Sequence, residues 1–350
     1  MDLSNLPVGT VQQIGDVTLR IEELPVEEHL AEMSELCLDR SYIPCPIIAS
    51  DYTIPITLEA LHLTGNRISK IQNIPHLPQL QTLVLRQNLI EKIEGINHLT
   101  SLVELDLYEN KITYIENIDN LTNLEHLDLS FNSISKLENL CFPKLRNLFL
   151  VKNRISTIEN LEHLPNLSNL ELGDNSIHQI DNLQYLTNLE ALWLGNNYIS
   201  VLDNLQELKK LRILALPNNR ITNIPELGYL APQLEELYIS MNGISSLQGV
   251  LSLTNVKVLD LAFNRIKSIK GVSVLQSLEE LWLNNNEVCS WDEVFEELSQ
   301  LNCLDTVYFA RTPLSKDKLY RVKVIQAQPK LSQIDALPVM DNLRKMSGVS

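Results

Sequence analysis

Residues Leu102–Leu124 read LVELDLYENKITYIENIDNLTNL, and the spacing of the apolar residues in this stretch decides the fold. Leu105 and Leu107 alternate with period two, so on a short strand both point to one side. Asn110 follows where the chain must leave that strand. Its amide both donates and accepts, which suits a turn whose backbone groups need partners. From Ile112 the apolar residues fall every third place, at Ile115, Ile118, Leu121 and Leu124. Spacing of three puts residues on one side of 3₁₀ turns. The stretch therefore predicts one strand, one Asn corner and one turn-rich return, all burying the same edge.

The same pattern, L-x-x-L-x-L-x-x-N-x-I, runs through most of the chain. Its first clear copy is Leu58, Leu61, Leu63, Asn66 and Ile68, and the Asn recurs at Asn88, Asn110, Asn132, Asn153, Asn175, Asn197, Asn219, Asn242, Asn264 and Asn286. The intervals are 22 residues apart from one of 21 and one of 23, and Pro143 and Pro232 place those two length changes in convex loops. A leucine-rich repeat has this signature and period. The predicted fold class is thus an α/β repeat. It is a leucine-rich-repeat solenoid with a concave parallel β-sheet, convex short 3₁₀ or helical turns and a C-terminal helical cap. No coil buries its apolar side alone, so both ends need covering.

Domain boundaries follow from where the pattern decays. Residues 1–30 are acidic (Glu22, Glu23, Glu27, Glu28) and are expected to be disordered. Residues 31–312 hold the solenoid, about 12–13 repeats including a degenerate first copy at Met33, Leu36, Leu38, Ser41 and Ile43. The last copy is longer, with strand Leu304, Val307, Phe309 and Thr312 in the Asn place. Residues 313–340 form the cap, with a helix over Asp317–Gln328 ended by Pro329, and 341–350 are expected to be a flexible tail.

The chain has 350 residues and a formal net charge of −16, which weighs against docking on nucleic-acid phosphate or anionic lipid. The first residues lack a basic and apolar leader, and no run reaches the ~18 apolar residues of a membrane span. The five Cys are scattered without CxxC spacing and read as reduced thiols. There is no Gly-rich phosphate loop and no HxxxH pair, and carboxylates on an open sheet lack an enclosing pocket. The expectation is a non-enzyme with no cofactor and no metal.

Function is then sought on the exposed side of the sheet, at the residue between the second and third Leu. Along the chain that position reads Cys37, His62, Val84, Asp106, Asp128, Phe149, Glu171, Trp193, Ala215, Tyr238, Asp260, Trp282 and Tyr308. Five of these thirteen are aromatic, although aromatics make up 5 % of the chain. Exposed strands tolerate aromatics at low cost, but a ridge of Trp and Tyr on a concave patch is also how binding anchors are placed. Carboxylates interleave the ridge, with Glu104, Glu236 and Glu280 two residues earlier on the same side. Asp106 and Asp128 stand on adjacent strands, a like-charge pair that a cationic partner would relieve.

Several stretches extend the match beyond the repeat itself: RQNLI (Arg86–Ile90), ELDLYENKI (Glu104–Ile112), LFLVKNRIS (Leu148–Ser156), LELGDN (Leu170–Asn175), ELYISMNGI (Glu236–Ile244), LDLAFNRIKSI (Leu259–Ile269) and LDTVYFARTPLSKDKLYRVKV (Leu304–Val324). With these letters the chain resembles the regulatory-subunit-7 family of protein phosphatase 1, built of 22-residue leucine-rich repeats, over roughly residues 50 to 340. The resemblance implies a phosphatase regulator, present in nucleus and cytoplasm and tied to mitotic exit. It would bind the phosphatase catalytic subunit on the concave face and be associated with a further inhibitory subunit. It carries the family's docking aromatics onto Phe149, Trp193, Trp282 and Tyr308, and its acids onto Asp128, Glu171, Asp260 and Glu280. Tyr238 joins them from its place on the ridge. Thr312 departs from the family, which tends to have Asn there, and Trp193 stands where Phe is frequent. Two other readings stay open: a leucine-rich-repeat subunit of a ciliary or dynein-associated complex, and a ribonucleoprotein binder.

Overall fold

The structure is a computed structural model and describes residues 11–14, 17–20, 34–37, 39, 56–230 and 232–348. It divides into two compact units, residues 1–170 and 171–350. Near the N-terminus β1 (Val11–Ile14) and β2 (Val17–Arg20) pair antiparallel, where the sequence predicted no structure. Most of the degenerate first repeat lies outside the described residues. Its strand β3 (Glu35–Cys37) is present and pairs with β4 (Ala60–His62).

The first unit continues with β5 (Thr82–Val84), β6 (Glu104–Asp106), β7 (His126–Asp128) and β8 (Asn147–Phe149), each parallel to the strand before it. Strand β9 (Asn169–Glu171) spans the division between the units. The second unit holds β10 (Ala191–Trp193), β11 (Ile213–Ala215), β12 (Glu236–Tyr238), β13 (Val258–Asp260), β14 (Glu280–Trp282) and β15 (Thr306–Tyr308), again parallel in sequence order. The sequence spacing sets the core in both. Leu102, Leu105, Leu107, Ile112, Ile115, Ile118, Leu121 and Leu124 are all fully buried. At about 1.5–3 kcal/mol for each such side chain, burial is the main source of coil stability.

Within each unit the repeat Asn residues tie a coil to the one before, as two of them show. Asn132 donates through Nδ2 to Leu107 O (3.0 Å) in the preceding coil and to Leu129 O (3.0 Å) in its own. Its Oδ1 accepts from the Ile112 amide at 2.9 Å. In the second unit Asn264 repeats this with Ile239 O (3.1 Å), Leu261 O (3.0 Å) and the Ile244 amide (3.0 Å). A second Asn ladder, unforeseen in the sequence reading, runs along the return side. Asn117, Asn139 and Asn160 adopt left-handed backbone (φ 58°, 56° and 56°) and donate to Ile93 O, Ile115 O and Leu137 O. Gly95 takes that corner in one coil, with φ 72° and a Cβ direction blocked by the Ile71 carbonyl.

The convex returns are isolated i→i−3 turns, such as Leu121 N to Ile118 O (3.0 Å), with three short 3₁₀ helices at Gly228–Leu230, Gln248–Val250 and Val272–Val274. The longer last repeat makes room for a helix, α1 (Trp291–Leu298), capped by Ser290. Glu297 on α1 accepts from the Gly271 (2.8 Å) and Ser273 (2.9 Å) amides of the neighbouring coil.

In the cap, a 3₁₀ turn at Pro313–Lys316 leads to α2 (Tyr320–Ala327). The helix starts three residues later than predicted because Asp317 stays outside it and accepts from Leu319 N and Lys323 Nζ. The apolar edge is then closed by β16 (Gln333–Ile334), parallel to β15, and by β17 (Leu337–Pro338), antiparallel to β16. Thr312 keeps one of the Asn bonds, from Oγ1 to Phe309 O at 2.7 Å. The tail corrects the sequence expectation. Asp341–Ser347 forms α3, because Arg344 donates to the carbonyls of Pro329 and Leu331 and so fixes the segment to the cap.

Candidate functional site

The parallel register of the second unit puts Trp193, Ala215, Tyr238, Asp260, Trp282 and Tyr308 in one row across six strands. A parallel row two residues earlier carries Ala191, Ile213, Glu236, Val258, Glu280 and Thr306. Neither row contains a Lys or Arg.

The row's chemistry comes from pairing that the sequence does not announce. Trp193 and Tyr238 stand two strands apart, yet their rings stack with centroids 6.3 Å apart and planes at 20°. They meet over Ala215, which is too small to separate them and is 3 % exposed. Trp282 and Tyr308, on adjacent strands, pack at 5.3 Å with planes at 52°. Polar atoms then fix the rings. The Tyr238 hydroxyl donates to Glu236 Oε2 (2.7 Å), the Trp282 indole N–H donates to Glu280 Oε2 (3.0 Å), and Gln333 Nε2 donates to the Tyr308 hydroxyl (2.7 Å). Burial, helped by Glu236, raises the Tyr238 pKa, so its hydroxyl stays a donor. All four aromatics are half-buried, which leaves ring surface open on the face. Such pre-set rings lose little rotamer freedom when a partner covers them.

Asp260 corrects an expectation. It was predicted to project into solvent but is 7 % exposed. It sits between Tyr238 and Trp282 on the neighbouring strands, and its Oδ1 turns to accept from the Ala262 amide at 2.9 Å. Burial raises its pKa against the opposing bonds from Ser240 and Ala262. Glu171, at the end of β9, is half-buried on the same sheet face.

In the first unit Asp128 and Phe149 are register partners on β7 and β8, and both are half-buried. Asp128 accepts from the Ser130 amide at 2.8 Å. Asp106 and Asp128 do face each other across β6 and β7, but their relief is internal. Asp106 is 8 % exposed, accepts from the Tyr108 amide (3.0 Å) and lies 3.4 Å from Arg86 Nε. Burial, with Asp128 and Glu104 beside it, pushes its pKa up to about 6 despite those partners. Asp106, Asp128 and Asp260 thus share a structural task, holding the amide two residues on at the strand exit. The recurrence of L-D-L in their repeats is the signal that could have shown it.

Among the described residues no cluster of three or more His, Cys, Asp or Glu could hold a metal ion. No helix among them is long and apolar enough to cross a membrane. Cys37, Cys141, Cys289 and Cys303 are free and exposed.

Comparison with known proteins agrees with this geometry. A family model described as "Leucine-rich repeat" matches residues 96–194, and one described as "Leucine Rich repeats (2 copies)" matches 56–98, 187–229, 232–273 and 254–299. Among curated proteins, the chain is 50 % identical over 64 residues to the protein phosphatase 1 regulatory subunit SDS22 of Schizosaccharomyces pombe. It is 43 % identical over 76 residues to the protein phosphatase 1 regulatory subunit pprA of Dictyostelium discoideum. These matches span 18 % and 21 % of this chain and only 19 % and 22 % of those relatives. Among solved structures, an internalin of Listeria monocytogenes superposes with a TM-score of 0.76 at 27 % identity, covering 90 % of each chain. A leucine-rich-repeat protein of Leptospira interrogans gives 0.65 at 26 %, covering 79 % of this chain and 78 % of the other. The repeat spacing, the Asn ladder and these matches agree, and the chain belongs to the leucine-rich-repeat proteins, with sequence similarity to regulatory subunits of protein phosphatase 1.

Proposed function

We propose that this chain is a non-catalytic regulatory or scaffold subunit that binds the catalytic subunit of protein phosphatase 1 and modulates its activity or assembly. The observation that carries the reading is the second unit's row of paired, tethered aromatics, set among carboxylates in two rows that contain no Lys or Arg. Large rings at a desolvated centre supply affinity, and surrounding acids select a partner with basic groups. The two curated relatives are named as regulatory subunits of that phosphatase, which supports the choice of partner. In this reading Trp193, Tyr238, Trp282 and Tyr308 are anchors, Glu280 fixes Trp282, and Asp260 braces the strand exit between two of them. Asp128, Phe149 and Glu171 add contacts on the concave side of their own strands. A further inhibitory subunit, and residence in both nucleus and cytoplasm, belong to the same proposal.

Affinity purification of the full chain, followed by mass spectrometry and a direct titration with the purified catalytic subunit, tests it. Recovery of the phosphatase, with binding weakened by Trp282→Ala, is the expected result. Recovery of a ciliary, dynein-associated or ribonucleoprotein complex without the phosphatase would replace the reading.

A further inference from the structure

The residue before each repeat Asn has a left-handed backbone. In the second unit this row runs Asp174, Asn196, Asn218, Met241, Phe263, Asn285 and Arg311, with φ between 54° and 59°. Asn and Asp reach that conformation at least cost among residues with a side chain, and bulky apolar residues are unusual there. Met241 and Phe263 are also 51 % and 45 % exposed. Their amides donate to Ala262 O and Asn284 O (both 2.9 Å), so they occupy neighbouring coils.

The first unit shows what an aromatic can do at this position. Phe131 (φ 57°) packs on the Tyr108 ring at 4.8 Å and lies under Lys152 Nζ at 4.9 Å. At Phe263 the equivalent places hold Ser240 and Asn285, which are too small to cover a ring in the same way. An unfavourable backbone and exposed apolar surface thus coincide at two adjacent coils. Strain kept at a surface marks a site whose return lies outside the folded monomer.

Met241 and Phe263 follow Tyr238 and Asp260 by three residues, at most roughly 10 Å of chain. They therefore form a rim where β12 and β13 leave the concave face. We infer that Met241 and Phe263 are a docking wedge for the partner that lies on the aromatic row, taking an apolar patch of the phosphatase catalytic subunit that borders its basic contact surface. The inference rests on the proposed function and extends it to a surface outside the concave rows. The neighbours Asn218 and Asn285 carry no charge, which suits an apolar contact, while Glu236, Asp260 and Glu280 lie on the strands.

The test compares wild type with the double variant Met241→Asn/Phe263→Asn, using the full chain, calorimetric titration with the catalytic subunit and thermal melts. The wedge predicts opposite effects. Affinity falls about tenfold, as for loss of an interface anchor, while the thermal midpoint stays level or rises because Asn suits the left-handed backbone. Phe263→Tyr, which keeps the ring, retains most of the affinity. Equal affinities for wild type and double variant overturn the wedge and leave the proposed function standing. No binding by wild type overturns both. A lower midpoint in the double variant removes the backbone argument and the inference with it. Sedimentation covers the remaining occupant: wild-type self-association that the double variant loses, without change in phosphatase affinity, assigns the rim to a second copy and overturns the inference.

Discussion

Trp193 and Leu194 are adjacent in sequence, one half-buried on the sheet face and the other in the core, so under the proposed function alanine at each separates binding from folding. Leu194 is fully buried, and its truncation leaves a cavity inside a coil whose neighbours are fixed by ladders. A loss of about 2–5 kcal/mol of stability is expected. Trp193 is half-buried and its identified ring partner is Tyr238. Removing that stack costs about 0.5–1.5 kcal/mol beyond the area it covers. For a cooperative unit of this size, 1 kcal/mol moves the midpoint by roughly 2–4 °C. Leu194→Ala should therefore lower it by about 4–20 °C and Trp193→Ala by only a few degrees. Affinity should show the reverse. Trp193→Ala loses an anchor worth about 2 kcal/mol or more, some thirtyfold in Kd, whereas Leu194→Ala binds nearly normally below its own midpoint. Differential scanning calorimetry and titration with the catalytic subunit read both quantities on the same samples. If Trp193→Ala melts as early as Leu194→Ala, the ring supports the fold and the concave face has been misassigned.

Asp106→Asn should stabilise the protein at pH 7. Burial lifts the Asp106 pKa to about 6, so the folded state holds its proton more tightly than the unfolded chain does. Stability from this group is therefore highest in acid, falls as pH rises from about 4 to 6, and is lost above; the Asn variant should flatten melts across that window, and an unchanged slope refutes the claim. Replacing Asp128, Glu171 and Asp260 together by Asn should slow phosphatase association more than it speeds dissociation, with the difference shrinking in high salt. Stopped-flow rates indifferent to both charge and salt would show that these carboxylates do not steer the partner. Deleting the chain after Pro313 removes α2 and the β16–β17 hairpin, exposing Val307 and Phe309, which are fully buried in the whole chain. Aggregation and a lower midpoint are expected on light scattering and melting, and a truncated chain that stays monomeric at the same midpoint would show that no cap is needed.

Much of this was open to reading because a repeat samples one physical rule many times. Leu105, Leu107 and Asn110 say little alone, but eleven spaced copies of that Asn define the strand, the register and the row carrying Trp193 and Trp282. What escaped depends on distances no single repeat contains. The Trp193–Tyr238 stack requires a small residue on the intervening strand, so Ala215 matters by what it lacks. Asp106 and Asp260 hold, each in its own unit, the strand position that carries aromatics elsewhere, but they turn to their own strand exits, because a short carboxylate reaches an amide two residues on. The return-side ladder at Asn117, Asn139 and Asn160 recurs with the repeat, but a reading that follows the spacing of Leu and Ile passes over it. Helix α3 is held to the cap by the Arg344 guanidinium on two carbonyls and by Gln326 donating to Ser347 O, for which sequence offers no periodic sign.

The Asn ladder also gives the chain a direction in time. Ile112 N finds its acceptor on Asn132, twenty residues later, and Ile244 N finds its acceptor on Asn264. Each coil is therefore finished by the coil after it. On the ribosome, where synthesis runs at about 5–20 residues per second, the newest coil waits roughly one to four seconds for the Asn that completes it. During growth one unfinished coil always lies at the leading end. Beyond the last repeat, Asp335 of the cap accepts from the Phe309 and Ala310 amides, so a cap residue supplies partners to that coil in place of a following repeat.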